Sequence, residues 1–224
     1  MIPSSPSAVL FCLVVLLVAV AVAAGLRRAG AGVRPLLAIL FGYIAIPGQL
    51  ARTRGLDAWD ATPPPALALI LGLSVLTVLI VFSAVGARLA ARIPLAAIVL
   101  LQSFRIAVEW LLHRLYLAGV VPVQMTWSGR NLDVVTGVTG LLLGLALLRG
   151  WRAPRALMLG WNALGLALLA NIVGIAVLST PALHRFPGPP NLLPSTFPWI
   201  WLPSFLVQVA LGSHLLLFRR LRRA

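Results

Sequence analysis

The chain has 224 residues, 61% of them hydrophobic and 10% charged, with a mean hydropathy of +1.03. A water-soluble domain carries about 25% charged residues, so a water-solvated fold is excluded. At about 20 apolar residues per crossing, the length leaves room for about six to eight membrane helices and no sizeable soluble domain. The basic residues are 18 arginines and no lysine, against four acids, and they cluster at the ends of apolar runs; there they are topology signals rather than a nucleic-acid footprint.

Seven apolar segments are expected, at about 8–25, 35–50, 66–86, 94–119, 133–149, 156–178 and 199–218. They are continuously apolar rather than alternating, which predicts helices and excludes a closed barrel. The first follows an uncharged start, Met1–Ser7, and is itself followed by Arg27 and Arg28. That is the reverse of a cleavable signal, so it reads as a retained helix. It contains Cys12, the one cysteine in the chain, so no intrachain disulfide can form. The second segment is broken by Gly42, Pro47 and Gly48 and reaches only about 24 Å as ideal helix, so it either crosses or re-enters.

The arginines decide between these. With seven crossings, twelve arginines fall on one side (27, 28, 34, 88, 92, 149, 152, 155, 219, 220, 222 and 223) and four (52, 54, 130 and 185) on the other. The positive-inside rule then puts the C-terminus in the cytoplasm and the N-terminus outside. The outer loops, 51–65, 120–132 and 179–198, are longer, and tryptophans such as Trp127, Trp199 and Trp201 sit near that face, as aromatic belts do. The fifth segment carries Gly137, Gly140 and Gly144, and the sixth Ala170 and Gly174, small-residue faces suited to close helix packing. The expected fold is therefore a single all-α domain, 1–224, a bundle of about seven transmembrane helices in a bacterial inner membrane. Its partners are the bilayer and anionic headgroups at the cytoplasmic face, with no nucleic acid.

The fourth segment carries the chemistry. Gln102, Arg105, Glu109, His113 and Tyr116 recur at three- and four-residue steps, which puts them within an arc of about 60–80° on one helix face. At about 1.5 Å per residue, Arg105, Asn162 and His214 share one depth and Glu109 and Gln208 a second. A third level holds His113, Asn171 and Tyr43. Two readings compete. Arg105 and Glu109 form a neutralising i,i+4 pair, with Asn162, Asn171 and His214 as interhelical glue; or the stripe is a path for protons or substrate, in which Glu109, the sole glutamate, lies beside a titratable His113. Arg114 points off the stripe and snorkels outward. His113 and His214 differ in depth by about 12 Å, which disfavours one haem between them, and no cofactor, metal or catalytic motif is visible. In the outer loop, Arg130, Asn131 and Asp133 are candidates, either to cap the fifth helix or to form a lid over the polar core.

Four stretches, Phe104-Arg105…Glu109, Gln124-Met125-Thr126…Gly129…Asn131…Asp133, Gly160-Trp161-Asn162 and Trp201-Leu202-Pro203…His214, resemble an uncharacterised family of small bacterial integral-membrane proteins, from about residue 94 onward. The resemblance implies a membrane bundle and no particular activity. Two functions follow as expectations: a small transporter or proton-coupled carrier using the stripe, or a structural or assembly subunit in which the same residues only hold helices together.

Overall fold

The computed structural model describes residues 6–222; Met1, Arg223 and Ala224, on which the expected termini fall, lie outside them. Among the described residues the chain is all helix and loop, in eight helices. These are α1 Pro6–Arg28, α2 Val33–Arg52, α3 Pro65–Phe82, α4 Ala84–Arg92, α5 Leu95–Leu117, α6 Asp133–Leu148, α7 Arg155–Leu178 and α8 Leu202–Leu221. Six of them, all but α4 and α6, are long and apolar enough to cross a membrane, and α6 is apolar but shorter, at 16 residues.

The expected third segment, 66–86, is two helices. The chain turns at Ser83, whose hydroxyl accepts from the backbone N–H of Val85 and of Gly86 and so supplies two of the donors a helix start leaves open. Gly86 lies so close to the Val81 carbonyl that any Cβ would collide with it. The arginines of α8 complete this corner. Arg219 donates to the carbonyls of Val81 and Ser83, and Arg220 to those of Ala90 and Ile93, a favourable use of cations at helix C-termini. Arg92 likewise donates to Ala29 O, past the end of α1, so the arginine-bearing ends of α1, α4 and α8 meet at one end of the bundle.

Three helices are irregular. In α2, residues Phe41–Ala45 form a wide π-type turn just before Pro47. Proline has no N–H to offer the carbonyl four residues back, and that carbonyl, Tyr43 O, accepts from Ser204 Oγ instead. Its neighbour Ile44 O accepts from Trp201 Nε1 at 2.9 Å. Both donors come from the start of α8, where Leu202–Leu206 form a second π-type turn around Pro203. Gly48 is held against the Trp201 ring, where a Cβ would sit 3.0 Å from Nε1. In α5 the break is at Gln102–Ser103, where successive amides bond three residues back rather than four. The second segment is thus one unbroken helix, with its interruption absorbed by α8.

The packing is inverted relative to a soluble protein. Leu13, Leu16, Leu17 and Val20 of α1 and Leu71, Leu76 and Leu79 of α3 are exposed, while Gln102, Arg105, Glu109, Asn162, Gln208 and His214 are buried. The main apolar core is closed by Phe11 stacked on Trp199, with ring centroids 4.7 Å apart. The glycine face of α6 packs on the first half of α5: Gly140 sits over Gln102 and Val99, Gly137 over Arg105 and Ile106, and Gly144 over Leu100. The companion face expected on α7 does not pack this way. Ala170 is exposed and Gly174 faces open space.

Candidate functional site

The start of α6 is brought against the middle of α5 by that glycine contact, and the polar centre follows from it. Arg105 Nη1 donates to Asp133 Oδ1 at 2.9 Å. Asp133 is the first residue of α6, where a carboxylate also suits the helix dipole. Its backbone N–H is taken by Asn131 Oδ1 at 3.0 Å. The amide of Asn131 donates in the other direction, to Glu109 Oε1 at 2.6 Å and to Met125 O at 3.0 Å. Arg105, Asp133, Asn131 and Glu109 therefore form one connected, buried cluster in which a guanidinium and two carboxyl groups meet. A cavity of about 100 Å³ adjoins Arg105, Glu109 and Asp133, its other walls mostly apolar, with Leu112, Leu169 and Ala210 among them and Ser74, Thr180 and Asn191 as the polar exceptions. Its size and polar rim suit ordered water.

One turn further along α5, toward the 120–132 loop, the His113 ring lies stacked on Trp127 at 4.5 Å and tilted against Tyr116 at 5.9 Å. Between α7 and α8, His214 Nδ1 pairs with Asn162 Oδ1 at 2.8 Å, and Asn162 Nδ2 donates to the His214 carbonyl. Gly165 leaves the space that the His214 ring fills beside Thr136, one turn along α6 from Asp133. Among the described residues, the buried side-chain atoms without a hydrogen-bond partner are Gln102 Oε1, Arg105 Nε and Nη2, Glu109 Oε2, His113 Nδ1, Gln124 Oε1, Thr136 Oγ1 and His214 Nε2. All belong to this region or to the loop above it. Buried polar groups are nearly always paired, so their concentration here marks the region as unlike the rest of the bundle.

Other buried polar side chains among the described residues are paired. Gln208 accepts from Thr77 Oγ1 and donates to Ser74 Oγ and Pro203 O, and Tyr43 shares a hydrogen bond with Thr77 at 3.0 Å. Gln102 reaches only Ala210 O, at 3.5 Å.

Several expected placements are corrected. Glu109 is not the ion-pair partner of Arg105; that partner is Asp133, because α6 approaches closely enough to outcompete the i,i+4 neighbour. Asn171 is exposed rather than in the polar core, and donates to Arg130 O at 2.8 Å, tying the 120–132 loop to α7. His113 and Tyr116 are half-buried. Arg130 is exposed, its guanidinium 5.9 Å from the Phe186 ring. Arg114 is exposed over the Trp110 ring. Asn131 accepts the Asp133 N–H at the start of α6 and donates to Glu109 in the core. The aromatic cover supplied by Trp127 and the contributions of Thr136, Thr77 and Ser74 went unexpected, since single hydroxyls and a loop tryptophan carry no spacing signal. Among the described residues no three His, Cys, Asp or Glu side chains gather as a metal site requires.

The polar centre and all of its residues lie within a stretch, 63–222, that matches the family model described as a domain of unknown function (DUF8737). The chain belongs to that family. The match covers α3 to α8 and begins earlier than the resemblance read from residue 94, while α1 and α2 precede it. No curated protein and no solved structure matches the chain.

Proposed function

We propose that this chain is a proton-coupled carrier of a bacterial inner membrane. It forms one domain, 1–224, crosses seven times by α1, α2, α3, α5, α6, α7 and α8, and has its arginine-rich end in the cytoplasm. The carrying observation is the conjunction of a buried Arg105–Asp133–Glu109 cluster with unpartnered polar atoms and three helices, α2, α5 and α8, whose backbone regularity fails. Intramembrane ionisable groups and interrupted helices are the features that carriers use for coupling ions.

In this reading Glu109 holds the proton at Oε2, the oxygen left free while Asn131 fixes Oε1. Arg105 sets how readily that proton leaves, because its charge is shared with Asp133. His113 delivers from the outer side, and His214 with Thr136 receives toward the inner side. The first half of α6 acts as the fixed wall. Asn131 and Trp127 form the outer cover.

A scaffold role has its own support: the Gln208–Thr77–Tyr43 and Asn162–His214 bonds join helices and leave little for chemistry. Purified protein in liposomes carrying a pH-sensitive dye separates the two. The carrier predicts potential-driven proton uptake that Glu109→Gln abolishes without lowering the melting temperature. Wild-type liposomes as tight as empty ones would leave the scaffold reading.

A further inference from the structure

A second cavity, of about 680 Å³, lies away from the polar centre, between α1 and the bundle formed by α3, α5 and α8. Its volume falls in the range of ligand pockets, about 300–1,000 Å³. The walls are apolar: Ala21 and Gly25 of α1, Ile80 of α3, Ala97 and Leu101 of α5, and Gly212 of α8. At its deep end Tyr43, Thr77 and Gln208 face it, but these three bond to one another, so they ask for no polar ligand there. On the rim, Leu17 and Ala24 are exposed, so the cavity opens sideways. Along α1 it runs from Val14 to Arg28, about 21 Å of helix, the scale of a lipid tail.

The other end is charged. Arg28 lines it and is exposed, and Arg92 is anchored beside it on Ala29 O. Among the described residues no Asp or Glu pairs with either of them. Asp57 and Asp60 lie in the link between α2 and α3, at the opposite end, and Glu109 and Asp133 are buried in the polar centre. An apolar slot one tail long that ends at uncompensated guanidinium groups has a matching ligand already in the bilayer. We infer that the cavity binds one anionic phospholipid from the cytoplasmic leaflet, its acyl chain between α1 and α5 and its phosphate at Arg28. The walls from α1 and α2 precede the family region at residue 63, so the full chain is needed to form the site. This inference is independent of proton carriage.

The test is native mass spectrometry of the full-length protein released from nanodiscs containing equal phosphatidylglycerol and phosphatidylcholine. One retained phosphatidylglycerol per chain is expected. Arg28→Gln should reduce the preference over phosphatidylcholine about fivefold, the factor equivalent to about 1 kcal/mol for one arginine near an anionic surface. Ala97→Phe should fill the slot and remove the adduct. Gly174→Leu, on an open face of α7, is the control and should retain it. Equal retention of the two lipids by the wild type, or an undiminished selective adduct in both Arg28→Gln and Ala97→Phe, overturns the inference. Arg28 is exposed, so the selectivity readout stands even where the phenylalanine variant does not fold.

Discussion

A guanidinium held at 1% exposure among helices has to find an anion, and Asp133 supplies it at 2.9 Å. Removing one member of a buried pair is far worse than removing both, because the survivor is left charged and dry. Asp133→Asn should therefore lower stability by about 3–5 kcal/mol, read as a fall in melting temperature in detergent. Arg105→Leu combined with Asp133→Leu should recover most of that loss. A double variant no better than the single one would mean that the pair is not what makes Asp133 indispensable. Asn131 holds two groups with one side chain, so Asn131→Ala should cost about 1–3 kcal/mol for the buried acceptor it strands. Asn131→Asp should do worse, since it sets a carboxylate against Glu109 Oε1; thermal melts of the two variants side by side test that order. The residues of the stripe were legible because 3.6-residue periodicity puts Gln102, Arg105 and Glu109 on one face. Their partners were not. Which acid answers Arg105 is decided between two helices, by how closely Gly137 lets them approach, and no spacing within α5 encodes it.

Between helices, the glycines give the sharpest contrast. A methyl group at Gly144 would run into Leu100 of α5, whereas one at Gly174 meets open space. Gly144→Ala should thus destabilise by about 1–3 kcal/mol through overpacking. Gly174→Ala should be neutral or gain up to about 1 kcal/mol from the lower flexibility of the unfolded chain; chemical denaturation in mixed micelles measures both. The sequence offered small-residue faces on both α6 and α7, yet of the two only the α6 face packs on a neighbour, since a pattern says which face can approach and not whether a neighbour stands there. The break at Ser83 escaped the hydropathy profile for a similar reason. Residues 66–86 stay apolar throughout, and what ends α3 is a hydroxyl cap and the close passage of Gly86 over a carbonyl. Pro47 did announce an interruption in α2. That Ser204 and Trp201 would repair it could be known only from the fold.

For the molecule as a whole, exposed leucines and buried charges agree with six helices long and apolar enough to cross a membrane. The seven-crossing arrangement makes a direct prediction. A reporter active only in the periplasm should be silent when fused after residue 222 and active when inserted in the 120–132 loop. Activity at both places would mean that one of the helices, the short α6 first among them, fails to cross. Hydropathy and arginine placement made the overall class legible, because both are properties of whole segments that survive errors of a few residues at each end.

The crowding of arginines at one end also has an electrical meaning. In the proposed seven-crossing arrangement the arginines at 27, 28, 34, 88, 92, 149, 152, 155, 219, 220, 222 and 223 assign twelve positive charges to that end, whereas the four arginines of the other end are offset by Asp57 and Asp60 to a net of two. Carrying one positive charge outward against an interior-negative potential takes about 2.3 kcal/mol per 100 mV. With the richer end inward, inverting the molecule would exchange an excess of ten charges, roughly 23 kcal/mol at 100 mV. The energised membrane is then an orienting field for this chain as it inserts. Dissipating the potential with an ionophore during synthesis removes that field and leaves headgroup attraction as the remaining guide.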